Sequence, residues 1–162
     1  MLADADQIRH IYNHEVENTT ATLDLVPRSL DDQRAWLQER SGAFTTIVAV
    51  DGDEVLGFAS LSPYKERAAY RTTVEDSVYV RRDRSGQGIG GLLLHHVVDV
   101  ATVSGFHTVI ARIESGGEAS QALHRSCGFE LVGVEREVGR KFHRWLDVVV
   151  MQCVLHERAS TR

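Results

Sequence analysis

Hydrophobic and polar residues alternate with two different periods along the chain, and each period predicts its own kind of element. Where apolar residues recur every three or four positions, the pattern predicts an amphipathic helix. A serine followed three residues later by an acid predicts a capped helix start, and a glycine after the apolar positions predicts its end. The predicted helices are 4–16, one that is capped by Ser29 and ends at Gly42, one of about 89–103, and a short one within 115–129.

Runs rich in β-branched residues predict six strands between these helices. The first two flank the segment DGDE, which is typical of a β-hairpin turn. The resulting order α-α-β-β-β-α-β-α-β-β predicts one α/β (α+β) domain with a mixed sheet and helices on its faces. The predicted strands are 45–50, 55–62, 73–80, 107–114, 130–138 and 144–155.

Composition narrows the class of protein. The chain has 162 residues, 43% of them hydrophobic and 25% charged, as in ordinary globular domains. We expect one domain over 2–155 and a polar tail over 156–162. The net charge of −5 disfavours nucleic acid as a partner, and no apolar run of about 18 residues predicts a membrane span.

The N-terminal segment, the cysteines and the histidines bear on the cellular location of the protein and on metal binding. No basic, apolar secretory segment opens the chain, and Cys127 and Cys153 lack the spacing of a redox motif, so we expect a cytoplasmic protein with reduced core thiols. His10 and His14 share a helix face, but no third ligand accompanies them. We therefore expect no metal.

A glycine-rich segment, RSGQGIGG at 84–91, carries the most specific pattern. Gly86, Gly88 and Gly91 spell G-x-G-x-x-G, which occurs in dinucleotide-binding turns. In those turns the first glycine follows the strand directly, whereas RRDRS separates Gly86 from Val80 here. Backbone N–H groups at such a turn can bind any pyrophosphate. The residues alone leave open a dinucleotide site, another pyrophosphate site or a plain turn.

Several segments together resemble the GCN5-related N-acetyltransferases (GNAT), within them the phosphinothricin and methionine sulfone acetyltransferase branch. They are R-x-G-x-G-I-G after a V-x-V strand, IYNHEVENTTAT, LHRSCGFE and VGRKFHRWLDVVVMQ, and the resemblance covers roughly residues 2–155. It implies a single-domain GNAT fold with a mostly antiparallel sheet, whose usual first strand is shortened or missing here.

The resemblance also implies an activity. We expect an enzyme that moves an acetyl group from acetyl-CoA to the amine of a small amino-acid-like substrate, by direct attack in a ternary complex, and a homodimer. Another amine acceptor, or a non-catalytic acyl-CoA-binding module, is the alternative.

The implied acetyl-CoA site follows the third strand into the glycine segment. The Val80 N–H is expected to polarise the thioester carbonyl, as an oxyanion-hole donor does. Gly117 stands where the family commonly has an asparagine that touches the CoA arm. The expected cofactor-binding residues are Val78, Tyr79, Val80, Arg81, Arg84, Ser85, Gly86, Gln87, Gly88, Ile89, Gly90, Gly91, Gly117 and Ser126.

The implied catalytic residues include two acid–base groups besides Val80. Glu75 is the candidate base, and strand alternation places it on one face with Ser77 and places Asp76 on the other face, where Asp76 is expected to be structural or to face a helix. His124 stands where many members carry a tyrosine that protonates the leaving thiolate, and an imidazole can do this near pH 7.

The acceptor site is expected around the start of the same strand. Arg71 precedes the strand where the resemblance puts a group that binds the amino acid's carboxylate, a task suited to a guanidinium. The expected neighbours of the acceptor are Thr72, Thr73, Asn18, Thr19, Thr20, Lys141, Phe142 and Trp145.

Overall fold

A computed structural model describes residues 2–40 and 42–156. Six strands form one sheet in the order β1-β2-β3-β4-β6-β5, in which only β3 and β4 are parallel. The predicted mixed sheet is therefore confirmed, and the predicted tail lies outside the described residues except for His156. The strands are β1 Thr46–Asp51, β2 Glu54–Pro63, β3 Thr73–Val80, β4 Thr108–Glu114, β5 Glu130–Lys141 and β6 Arg144–Val154.

Four α-helices flank the sheet. A 3₁₀ turn, Leu2–Asp4, precedes the first of them in the described chain. The second helix starts as predicted, because the Asp32 N–H donates to Ser29 Oγ at 3.1 Å and the Ser29 N–H donates back to the Asp32 carboxylate at 3.0 Å. None of the helices in residues 2–40 and 42–156 is long and apolar enough to cross a membrane. The helices are α1 Ala5–Asn18, α2 Leu30–Glu39, α3 Ile89–Val103 and α4 Glu118–Ser126.

Each face of the sheet has its own hydrophobic core. On one face α1 and α2 bury residues such as Ile8 and Leu37 against Phe58. On the other face α3 buries Leu94 and Val98 against β2 and β3. The two faces explain the alternation along β3, since its odd-numbered and even-numbered side chains enter different cores.

Strands β3 and β4 part halfway along their length. Their pairing covers only three positions, from Thr73 with Thr108 to Glu75 with Ile110. Beyond that point β3 stays paired to β2 as far as Val80, while β4 stays paired to β6. The sheet therefore opens between the second halves of β3 and β4.

The opening leaves backbone donors on β3 without a strand partner. The Arg81 N–H donates to the Leu56 carbonyl oxygen at 2.8 Å, toward β2. Because successive N–H groups of a strand point to opposite edges, those of Val78 and Val80 point away from β2, into the opening.

Strand β5 extends three residues beyond its predicted end. Its pairing with β6 is irregular between Glu135 and Gly139, where Glu137 has a φ of 53°. A bulge of this kind interrupts the alternation of side chains, which explains why the prediction stopped there. The hairpin closes through Phe142 and His143, with φ of 50° and 60°, the left-handed pair that a two-residue turn requires.

Candidate active site

A cavity of about 800 Å³ occupies the opening between β3 and β4. Most of its wall comes from residues 75–80 of β3, residues 111–114 of β4, the loop 19–23 after α1, and α4 with the loop before it; α1, the segment after β3 and β6 add further residues. Polar side chains and strand N–H groups meet in this cavity. It is the natural candidate for the active site.

Glu75 lies in the cavity wall at the last paired position of β3. It is half-buried, and no donor in residues 2–40 and 42–156 forms a hydrogen bond to its carboxylate. Burial raises the pKa of Glu75; the positive charge of Arg112 opposes this shift, and Asp76 and Glu135 add to it. An unpaired carboxylate with a raised pKa is a stronger proton acceptor than an ordinary surface glutamate.

Asp76 faces the opposite side of β3, as the alternation predicts, and meets His124 of α4. The distance between Asp76 Oδ2 and His124 Nε2 is 2.9 Å, and His124 Nδ1 lies 2.7 Å from the Ser120 carbonyl oxygen. Burial lowers the pKa of His124, but the hydrogen bond to Asp76 and the charge of Asp76 outweigh it, and the net shift is upward. Both residues line the cavity.

The glycine segment connects the cavity to α3. Gly86 and Gly88 have φ of 76° and 80°, a region that favours glycine, and nothing lies within 4 Å of a Cβ built at either position. The first hydrogen bond inside α3 runs from the Leu92 N–H to the Gly88 carbonyl oxygen at 3.1 Å. The preceding N–H groups have no acceptor within the helix, as at every helix start, and are suited to an anion.

The expected cofactor-binding residues fall into two groups. Val78, Tyr79, Val80, Ser85 and Gly117 line the cavity. The others lie outside its wall, and three of them have partners elsewhere. Arg81 pairs with Asp83 at 2.7 Å, Arg84 with Glu54 at 3.4 Å, and Ser126 Oγ donates to the Leu123 carbonyl oxygen at 2.6 Å.

Among the expected acceptor-binding residues, only two line the cavity. These are Thr19 and Thr20, and Thr20 Oγ1 donates to the Glu114 carboxylate at 2.7 Å. Lys141 is instead buried against the loop 19–23, where its Nζ donates to the Thr22 carbonyl oxygen at 2.8 Å. The remaining expected residues do not belong to the cavity wall: Asn18, Arg71, Thr72, Thr73, Phe142 and Trp145.

The cavity also contains charged residues that the sequence analysis did not single out. Arg82 Nε donates to Glu15 Oε1 at 2.8 Å, which ties the turn after β3 to α1. Glu15 is 3% exposed and lies on the apolar face of α1. A glutamate at an apolar position of the helical pattern could have been recognised from the sequence as a candidate for a buried ion pair. Arg112 and Arg144 also line the wall, and Arg112 pairs with Glu135. No cluster of metal-ligating residues occurs within the described ranges.

Comparison with known proteins identifies the family of this chain. The model of the Acetyltransferase (GNAT) family matches residues 6–129. The chain belongs to the GNAT acetyltransferase family. It is 44% identical over 161 residues to the L-methionine sulfoximine/L-methionine sulfone acetyltransferase of Pseudomonas aeruginosa, covering 98% of this chain and 94% of that protein. It is 40% identical over 149 residues to the phosphinothricin N-acetyltransferase of Streptomyces coelicolor, covering 90% and 87%.

A solved structure of another phosphinothricin acetyltransferase has the same fold as this chain. The phosphinothricin acetyltransferase of Sinorhizobium meliloti, in complex with acetyl-CoA, superposes with a TM-score of 0.92 at 38% identity, covering 96% of this chain and 85% of that one. The resemblance found in the sequence is thereby confirmed. This GNAT protein is an N-acetyltransferase, and its relatives include an L-amino acid N-acyltransferase and phosphinothricin N-acetyltransferases.

Proposed function

We propose that this N-acetyltransferase transfers the acetyl group of acetyl-CoA to a small amino-acid-like amine of the phosphinothricin, methionine sulfone or methionine sulfoximine type. One observation carries the proposal. The opening between β3 and β4 combines Glu75, whose carboxylate accepts no hydrogen bond from the described residues, with the inward N–H of Val80 in a single cavity. These are the base and the carbonyl-polarising donor that attack of an amine on a thioester requires.

The residues along the opening between β3 and β4 fit acetyl-CoA as the donor substrate. The N–H groups of Val78 and Val80 are available to an extended chain lying beside β3, as a further strand would lie. The start of α3 offers N–H groups to a pyrophosphate, and the open space around Gly86 and Gly88 allows its approach. Gly117 has no room for a larger side chain, since its Cβ would lie 2.9 Å from Ile113 Cγ2.

Glu75 is the residue that we assign as the base. An α-amino group has a pKa near 8 and is mostly protonated at neutral pH, so it must lose a proton before it attacks. The carboxylate accepts that proton, and the Val80 N–H stabilises the negative charge on the thioester oxygen. We assign protonation of the departing sulfur to His124.

The carboxylate of the acceptor requires a cation near Glu75. We propose Arg71, two residues before the start of β3, as its ligand, in the position that the family resemblance implies. Arg112 lies in the cavity wall on β4, on the same face of the sheet as Glu75, and its charge acts on that carboxylate. Arg112 also forms an ion pair with Glu135 of β5.

A thiol-release assay with acetyl-CoA tests the proposal across a panel of amines that includes phosphinothricin and methionine sulfone. Glu75→Gln is expected to lower kcat by about 10²- to 10⁴-fold, the range of general-base catalysis, without weakening acetyl-CoA binding in calorimetry. Glu118→Gln is the matched control, because it also removes a carboxylate from the cavity wall but on α4. Equal activity of Glu75→Gln and wild type excludes Glu75 as the base. Binding of CoA without turnover of any amine identifies a non-catalytic acyl-CoA module instead.

We further propose that the protein is a homodimer that associates through the hairpin of β5 and β6. Strand β5 is an edge of the sheet, and an apolar edge favours pairing with another chain. Trp145→Glu is expected to yield monomers in analytical ultracentrifugation, whereas Val103→Glu, at an exposed position at the end of α3, is the control. A monomeric wild-type protein refutes this proposal. The exposed apolar residues of the hairpin are Leu131, Val132, Val134, Val138, Phe142 and Trp145.

A further inference from the structure

Asp76 and His124 form a buried pair that joins two elements of the cavity wall. Asp76 lies on β3 and is 6% exposed, and His124 lies on α4 and is 3% exposed. The edge of the Phe129 ring covers the imidazole, with centroids 4.9 Å apart. Asp76 Oδ1 is inaccessible and has no hydrogen-bond partner in the described part of the chain. The carboxylate therefore depends on His124 for its compensation.

The hydrogen-bond geometry determines how many protons the pair holds. The Ser120 carbonyl oxygen can only accept, so His124 Nδ1 carries a proton. A second proton must lie between His124 Nε2 and Asp76 Oδ2, because two bare acceptors at 2.9 Å repel each other. The pair is then neutral overall. Loss of that proton leaves a net charge of −1 in an apolar wall, which is costly unless a base in the cavity receives the proton.

We propose that Asp76 is the positioning residue of the acid in this reaction: it holds the His124 ring in one orientation with both nitrogens protonated, ready to supply the leaving sulfur with a proton. This inference rests on the proposed function. As the acceptor nitrogen bonds to the acetyl carbon, the nitrogen releases its surplus proton to solvent, and the carbon–sulfur bond breaks with the electron pair remaining on the sulfur. One proton passes from the pair to the sulfur, giving the free thiol, and solvent returns a proton to the pair.

The charges around the imidazole agree with this assignment. Asp76 is the charged group that acts on His124, and the upward net shift of the His124 pKa follows from it despite the opposing effect of burial. Glu75 lies on the opposite face of β3, and the negative charge of Asp76 contributes to the raised pKa of Glu75. From α3, His95 lies 3.2 Å from Cys127, beyond the end of α4.

The pH dependence of kcat in Asp76→Asn tests the role of Asp76. The asparagine amide can donate to Nε2 and thereby favours a neutral ring, so the pKa of His124 falls. Activity that needs the protonated ring is lost as pH rises through that pKa, and the alkaline limb is expected to move to lower pH. At pH 8 we expect kcat to fall roughly 10- to 100-fold, with little change in the KM for acetyl-CoA.

Ser120→Ala is the matched control, because it removes a hydroxyl beside the ring but keeps the backbone carbonyl that accepts from Nδ1. Its alkaline limb is expected to stay in place. Removal of the Asp76 charge also lowers the pKa of Glu75, which burial chiefly raises. The acid limb therefore moves too, and only the alkaline limb reports on His124. An alkaline limb equal to that of wild type in Asp76→Asn overturns the inference.

A second measurement needs no variant and decides the matter if Asp76→Asn does not fold. The ¹⁵N chemical shifts of His124 in the wild-type protein at pH 7 are expected to be those of an imidazolium. A neutral ring with a single N–H overturns the inference. Absence of turnover in the wild-type protein refutes the proposed function instead, and the ¹⁵N shifts still decide whether Asp76 holds His124 as a cation.

Discussion

Gly57 lies opposite Val80 where β2 supports the free half of β3, and it allows the two backbones to approach closely. A Cβ at this position would lie 2.7 Å from the Tyr79 carbonyl oxygen, 3.1 Å from Leu93 Cδ1 and 3.2 Å from Val80 Cα. An ordinary contact needs about 3.4 Å. Gly57→Ala therefore requires β3 to shift by roughly 0.7 Å, because the atom nearest the new methyl group belongs to the backbone.

This shift has a thermodynamic and a catalytic consequence. Overpacking of this kind costs about 1–3 kcal/mol, which corresponds to a fall in Tm of roughly 2–12 °C for a chain of this length. The N–H of Val80 moves with the backbone, and kcat is expected to fall by at least about tenfold, since displacements near 1 Å can cost about 10²-fold.

Thermal unfolding and steady-state kinetics of Gly57→Ala measure the two effects. Gly133→Ala is the matched control, because a Cβ at Gly133 meets nothing within 4 Å. Its Tm and kcat are expected to match those of wild type. If Gly57→Ala also keeps the wild-type Tm and kcat, the close packing of β2 on β3 does not position the Val80 N–H, and the reasoning fails.

Three further changes test other contacts of the site. Arg112→Gln removes the charge that opposes the rise in the pKa of Glu75; a base must be ionised, so the acid limb of kcat/KM is expected to move to higher pH, and an unmoved limb contradicts the coupling. Lys141→Met removes the ammonium that donates to the Thr22 carbonyl, whereas the Glu15 carbonyl still accepts from Thr19; the free energy of unfolding in urea is expected to fall by about 1–3 kcal/mol, and an unchanged value shows that the ammonium does not hold the loop. Gly117→Asn places a Cβ 2.9 Å from Ile113 Cγ2, so a lower Tm is expected, whereas tighter acetyl-CoA binding without a loss of Tm would show that the backbone adapts.

Local patterns in the sequence determined the elements of this protein because their causes are local. Alternation identified β3 as 73–80 and placed Glu75 and Asp76 on opposite faces, since a strand reverses its side chains at every residue. The starts of α2 at Ser29 and of α3 after Gly88 were predictable for the same reason, because each depends on residues that are adjacent in the sequence. The motif R-x-G-x-G-I-G indicated the family by resemblance. Its glycines also have a local physical reason, because they allow backbone N–H groups to approach a pyrophosphate.

The cavity and its charges were decided by contacts between residues far apart in the chain. The separation of β3 from β4 after Glu75 depends on which strand pairs with which, and no local period records that choice. His124 meets Asp76 from 48 positions away. Lys141, expected beside the acceptor, is drawn instead to the carbonyl of Thr22, because a buried ammonium must find acceptors and the hairpin brings those within reach. Sequence periodicity thus determined which elements form, and tertiary pairing determined which of their polar groups share one cavity.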